Sequence, residues 1–187
     1  MKVYIKNMVC DRCKMAVKTE FQKLGLSPTS VELGQVELQE PSISADTEKQ
    51  LTVNLETLGF EVVNDEKAQL VLKIKSLIVS LVHYSAQPLS VNLSTYLSEK
   101  IDLNYAVLSN AFSEQTGSTI EKYFISQKIE KVKELLSYGE KSLSEIAFFL
   151  NYSSVAHLSA QFKKNTGQTP SAYKASHLKD RKTLDNI

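Results

Sequence analysis

Residues 143–173 read LSEIAFFLNYSSVAHLSAQFKKNTGQTPSAY, and residues 93–123 read LSTYLSEKIDLNYAVLSNAFSEQTGSTIEKY. Aligned at a constant offset of fifty without gaps, ten positions are identical. They are Leu93/Leu143, Ser94/Ser144, Ala106/Ala156, Leu108/Leu158, Ser109/Ser159, Phe112/Phe162, Thr116/Thr166, Gly117/Gly167, Thr119/Thr169 and Tyr123/Tyr173. Self-similarity at a fixed period means one structural unit present twice. Each copy reads as helix, short turn, helix and glycine stop. In the second copy Ser142 and Glu145 have capping-box spacing, and Ile146, Ala147, Phe149 and Leu150 supply an apolar face. Asn151 suits the left-handed conformation of a tight turn. Ser153 is placed to cap a second helix, Gly167 to end it, and Thr169-Pro170 to start another. Two helices joined by so short a turn are the helix-turn-helix pattern.

If Val155, Leu158 and Phe162 point inward, helical spacing turns Ser153, Ala156, His157, Ala160 and Lys164 outward. That face is small and polar and ends in Lys163-Lys164, so it fits a major groove, with lysines left for phosphates. A solvated face on an ordinary helical hairpin is the alternative. The matching face of the first copy holds Ala106, Val107, Asn110 and Glu114, and a carboxylate at 114 repels phosphate where Lys164 attracts it.

The segment LSEIAFFLNYSSVAHLSAQFKKNTGQTPSAYK (143–174) resembles the signature of AraC/XylS-type transcription regulators, and with its duplicate the family-like region covers roughly residues 70–178. The resemblance implies two helix-turn-helix subdomains joined by a long helix, each presenting one helix to successive major grooves of double-stranded DNA. GSTIEKYFISQKIEKVKELLSYG (117–139) looks like the connecting helix, with Ile120, Phe124, Ile125, Ile129, Val132, Leu135 and Leu136 in helical spacing. The sequence departs from the family pattern at Asn151, commonly glycine, and at Ala160, commonly arginine. The expected DNA-facing set is Ser153, Ser154, Ala156, His157, Ala160, Lys163, Lys164, Ala106, Asn110, Thr169 and Lys174.

The 187 residues carry a formal charge of +1, which hides an asymmetry. Residues 1–66 hold 7 Lys+Arg against 11 Asp+Glu, a net of −4, and residues 67–187 hold 15 against 10, a net of +5. The split predicts two domains, the basic one meeting a polyanion, and an acidic sandwich that could dock over part of the DNA-binding face. No apolar run approaches the roughly 18 residues needed to span a bilayer. LIVSLVHY (77–84) reads as a buried helix. No membrane association is expected, and the protein is read as cytoplasmic. His83, His157 and His177 show no spacing with the cysteines, and there is no glycine-rich phosphate loop or carboxylate pair, so catalysis is not expected.

The first 65 residues have another rhythm. KVYIKNM (2–8) alternates like a strand, and CKMAVKTEFQKLG (13–25) places Met15, Val17, Phe21 and Leu24 in a helical stripe. TSVELGQVELQE (29–40) reads as a hairpin around Gly34-Gln35. DTEKQLTVNLETLG (46–59) aligns Leu51, Leu55 and Leu58 on a second helix, and FEVVN (60–64) is a last strand. The order β-α-β-β-α-β predicts a ferredoxin-like sandwich, giving an α+β first domain followed by an all-α one. The expected organisation is 1–65 and 66–178, with subdomains at about 66–117 and 140–178, a connecting helix at about 118–138, and a tail at 179–187.

Of the two cysteines, Cys10 falls in the loop after the first strand and Cys13 near the first turn of the first helix. A helix N-terminus favours thiolate, and two close thiolates suit a soft cation such as Cu(I), whereas Zn(II) asks for four ligands. A thiol–disulfide pair and an empty remnant stay open as rivals. NMVCDRC (7–13) after a strand, with LGFEV (58–62) opening the last one, resembles the heavy-metal-associated domains of copper chaperones and metal-transport ATPases. The resemblance implies Met8 as an apolar anchor and Cys10 and Cys13 as ligands of Cu(I) or another soft metal. Asn7-Met8 replaces the usual Gly-Met, and Asp11-Arg12 replaces a small pair. The function expected is a sequence-specific DNA-binding transcription regulator whose first domain senses or binds a soft metal. The alternative is a regulator whose first domain is a metal-free dimerisation or docking module, with a homodimer, a metallochaperone or another protein as partner.

Overall fold

The computed structural model describes residues 1–85 and 87–176, so the expected tail at 179–187 and His177 lie outside the described residues. The helical half begins with α3 (Glu66–Val79), whose N-terminus is capped by Asp65 accepting from the Ala68 N–H at 2.7 Å. Val71, Ile74 and Ile78 are buried at helical spacing along α3, which runs on into a π-helical turn at Ser80–Tyr84. LIVSLVHY is thus helical throughout. Then follow α4 (Leu93–Ile101), α5 (Tyr105–Thr116), α6 (Ile120–Tyr138), α7 (Leu143–Phe149), α8 (Val155–Thr166) and α9 (Pro170–Ser176). α6 is the connecting helix, and it buries Ile120, Ile129, Val132 and Leu136.

The repeat survives into packing. α5 and α8 are 12 residues each, and both end on a left-handed glycine, Gly117 or Gly167. Leu108 and Phe112 in one unit, and Leu158 and Phe162 in the other, are fully buried. Phe112 meets Tyr123 at 5.7 Å between ring centroids, and Phe162 meets Tyr173 at 5.6 Å. The turns differ. Asn151 takes φ 54° as expected, but in the first unit the left-handed residue is Asp102, at φ 60°. Position 101, which matches 151, is the β-branched Ile101, for which that conformation is costly, and the turn moves one residue on.

The first half consists of β1 (Lys2–Lys6), α1 (Asp11–Lys23), β2 (Pro28–Glu32), β3 (Gln35–Leu38), α2 (Ala45–Thr57) and β4 (Glu61–Val63). The four strands form one small sheet in the order β2-β3-β1-β4 with every neighbour antiparallel. Val3 and Ile5 of β1, Val36 and Leu38 of β3, Val17 and Phe21 of α1, and Leu51 and Leu55 of α2 form its apolar cluster. Three expectations need correction. Met15 is 62% exposed, because two residues before Val17 is the opposite side of a helix. Leu58 is half exposed, since α2 ends at Thr57 and Leu58 is its C-cap. The hairpin turn is Leu33–Gly34, and Gln35 already pairs with Glu32 in the ladder.

The sheet docks on α3. Val79 of α3 belongs to the sheet's apolar cluster. Gly34 approaches α3 so closely that a Cβ there would stand 2.4 Å from Ser76 Oγ and 3.3 Å from Leu72 Cγ. Its φ of +80° independently favours glycine. No helix among the described residues is long and apolar enough to cross a membrane.

Candidate nucleic-acid interface

α8 is built to show one face. With Leu158 and Phe162 inward, the residues Ser153, Ser154, Ala156, His157, Ala160, Lys163 and Lys164 are all exposed, as are Thr169 and Lys174 at and within α9. The N-cap is Ser154 rather than Ser153: Ser154 Oγ accepts from the His157 N–H at 3.1 Å. Ser153 instead pairs its hydroxyl with His157 Nδ1 at 3.0 Å, and the imidazole also packs edge-on to Tyr152 at 5.4 Å. The ring is therefore held from two sides, and Nε2 is its remaining polar atom. The first turn of α8 adds free N–H groups and the positive end of the helix dipole, which attract phosphate.

The first unit is similar in shape and different in charge. Ala106, Asn110 and Val107 are exposed on α5, and Asn104 caps the helix by accepting from the Ala106 N–H at 2.8 Å. Glu114, at the position of Lys164, pairs with Lys67 at 3.1 Å, but both side chains are largely solvated. Such a pair contributes little, so the carboxylate still opposes phosphate at this end of α5. Tyr105 donates a hydrogen bond to Glu121 of α6. That bond holds the Glu121 carboxyl below its usual range, while burial, followed by the carboxylate, drives the phenol up.

The acidic half does not cover α8. It meets α3, and its reach toward the first unit is at the β1–α1 loop, where Met8 and Val9 line a pocket together with Gln115 and Thr116 at the end of α5. The docking expected over part of the DNA-binding face does not, among the described residues, reach the face of α8.

Lys128 belongs to no expectation made from the sequence. It stands on the apolar stripe of α6, with Nζ 3.8 Å from the Tyr152 ring centroid and 5.4 Å from that of Phe124. One aromatic ring thus joins the connecting helix, the turn of the second unit and His157. A lysine four residues after Phe124 and four before Val132 was the signal available in the sequence. Desolvation brings its pKa down from 10.5 to about 8. A group that loses its proton near 8 when folded and near 10.5 when unfolded binds fewer protons in the folded state. The destabilisation is fully present below 8 and disappears as pH rises to 10.5. Attraction between the ammonium and the rings offsets part of it. Lys128→Met is expected to flatten that rise and to be about 1–2 kcal/mol more stable than the parent at pH 7. Thermal unfolding across the pH range checks this; a less stable variant that keeps the rise contradicts it.

The two thiols stand where β1 hands over to α1. Cys10 is the N-cap of α1 and Cys13 lies in its first turn, with the sulfurs 3.3 Å apart and both residues half-buried. Asn7 takes φ 69° and donates from Nδ2 to Gly59 O at 2.8 Å, and Met8 is buried beneath the loop. Burial alone pushes the Cys10 thiol up, but hydrogen bonds involving Cys13 and Arg12 together bring it below the ordinary cysteine value. Burial holds Cys13 above it. Tyr84, in the π-helical turn, donates to Val9 O in this loop at 2.5 Å, and its neighbour His83 contacts Gln127 of α6 at 2.9 Å.

Residues 97–176 match the helix-turn-helix domain family. An uncharacterized HTH-type transcriptional regulator of Staphylococcus aureus is 32% identical over 78 residues, which is 42% of this chain and 10% of that protein. The HTH-type transcriptional activator RhaS of Escherichia coli is 27% identical over 74 residues, 40% of this chain and 27% of that protein. The chain thus spans a small part of the curated relatives it matches. Among solved structures, the C-terminal domain of AraT, a response regulator from Geobacillus stearothermophilus, superposes with TM-score 0.52 at 22% identity, covering 64% of this chain and 94% of that one. A transcriptional regulator described as an AraC-type DNA-binding domain-containing protein, from Chromobacterium violaceum, gives TM-score 0.52 at 17% identity, over 63% and 99%. At these identities the likeness is one of fold.

Proposed function

We propose, from the match of residues 97–176 to the helix-turn-helix domain family, that the chain is a sequence-specific DNA-binding transcription regulator of the AraC type, acting in the cytoplasm. The observation that carries this reading is α8: a small, polar, exposed face with a positioned imidazole at one end and Lys163-Lys164 at the other. In a major groove, His157, Ser153 and Ser154 lie toward base edges, Ala156 and Ala160 leave room for the backbone and thymine methyls, and Lys163, Lys164, Thr169 and Lys174 face phosphates. Ala106 and Asn110 of the first unit read an adjacent groove with less electrostatic help. Selection from a random duplex pool tests this. The full chain is expected to enrich one motif, and His157→Ala to relax one or two of its positions by about 1–3 kcal/mol. A pool that stays random overturns the reading.

We infer further that residues 1–65 are a ferredoxin-like sandwich of the heavy-metal-associated kind. The element order and the all-antiparallel strand order support it. So do the left-handed Asn7 where glycine is usual and the buried Met8 under the thiols. Two sulfurs 3.3 Å apart, with no group of three or more His, Cys, Asp or Glu placed to hold a metal ion together among the described residues, suit a soft cation of low coordination such as Cu(I) rather than Zn(II). Cys10 and Cys13 would hold it. The route outward is the Val9–Tyr84 bond, the π-helical turn and the His83–Gln127 bond on the connecting helix. Reduced protein is expected to take up one equivalent of Cu(I), and the Cys10→Ser, Cys13→Ser variant none. Copper is expected to change DNA affinity by about 1–3 kcal/mol in the parent, and Tyr84→Phe to lessen that change without releasing the metal. A parent that binds no copper leaves the sandwich as a docking module.

A further inference from the structure

Between the sheet and the helices lies a cavity of about 250 Å³. Met8 and Val9 form one wall, Val71 and Leu72 of α3 another, and Thr116 and Tyr123 the floor beneath the first helix-turn-helix unit. Two ammonium groups border it. Lys6 is at the rim, half exposed and ion-paired with Glu61 at 2.7 Å. Lys75 is half-buried and has no carboxylate partner among the described residues; its Nζ stands 5.3 Å from the Tyr123 ring centroid. Burial, and then the charge of Lys6, lower its pKa, which is the signature of a cation short of an anion.

We propose that this cavity is a binding site for a small organic monoanion with an apolar body, a medium-chain carboxylate being the simplest member. The volume holds roughly eight water-sized groups, since each takes about 30 Å³, which accommodates a chain of that length with its head at Lys75. Ser76 adds a hydroxyl to the lining. A phosphate dianion fits poorly, because it would turn charged oxygens against Met8, Val71 and Leu72. The occupant touches the loop leading to Cys10 and the end of α5 together, so it spans the junction between the two halves of the chain.

Isothermal titration of the full chain with octanoate, 1-octanol and inorganic phosphate tests the site without DNA, so its outcome is separate from that of the helix-turn-helix reading. Octanoate is expected to bind saturably at one per chain, and octanol and phosphate at least tenfold more weakly. Lys75→Met, which keeps the apolar length and removes the charge, is expected to weaken octanoate at least tenfold and leave octanol unchanged. Circular dichroism establishes that the variant is folded; if it is not, the three ligands on the parent decide. Absence of saturable octanoate binding, octanol binding as tightly as octanoate, or undiminished binding by folded Lys75→Met overturns the proposal.

Discussion

Phe162→Ala is expected to lower the stability of the second helix-turn-helix unit by about 3–5 kcal/mol, the range for deleting a buried ring that its surroundings cannot collapse to fill. The ring is fully buried and meets Tyr173 edge-on at 5.6 Å. α7 and α9 are only 7 residues each, and helices so short are stable only through packing. Removing the ring loosens α8 from α9 together with the face α8 presents. In a chain of this size the melting temperature should drop by about 10 °C, and DNA binding should weaken beyond anything a surface substitution produces. Phe148→Ala is the matched control: its ring is 76% exposed, and its removal should stay within about 0.5 kcal/mol. Similar losses for the two variants would contradict the packing described.

The second large effect is on binding rather than stability. Lys163→Ala combined with Lys164→Ala removes two exposed cations from the last turn of α8. Each phosphate contact contributes about 0.9 to the slope of log affinity against log salt. The double variant should therefore lose close to two units of slope and roughly tenfold to a hundredfold in affinity at low salt, on every sequence alike. Folding should change little, because the groups are solvated; what is lost is a small favourable interaction with the helix dipole. Glu114→Lys on the first unit should act in the opposite direction, since it replaces a solvated carboxylate by a cation. If changes at Asn110 and Glu114 prove more damaging than those at Lys163 and Lys164, the assignment of the stronger contact to α8 is wrong.

What is legible in the sequence is local. Core and helix-end positions repeat at fixed spacing in the two units, so Leu158, Phe162 and Gly167 are legible from one copy set against the other, and Asn151 from its residue type alone. The sheet's strand rhythm was legible for the same reason: Val3 and Ile5 alternate within a single strand. The misses arose where a neighbour decides. Ser153 and Ser154 are equally good caps by type, and only the path of the turn brings Ser154 to the His157 N–H and Ser153 to the imidazole. Met15 and Leu58 are apolar enough to be read as core; helical phase excludes one and a helix end the other. The docking of Gly34 on α3, the stacking of Lys128 on Tyr152, and the cavity beside Lys75 depend on residues tens of positions apart. No periodicity within one segment encodes such meetings.

If the duplicated helical half is a DNA-reading surface, electrophoretic retardation of a mixed-sequence duplex by the full chain, followed as salt is raised, shows it. Clear retardation is expected at about 50 mM salt, with log affinity falling linearly against log salt by about 0.9 for each phosphate contacted. Protein that is folded yet leaves the duplex unshifted at low salt, or shifts it equally at all salt concentrations, would contradict it.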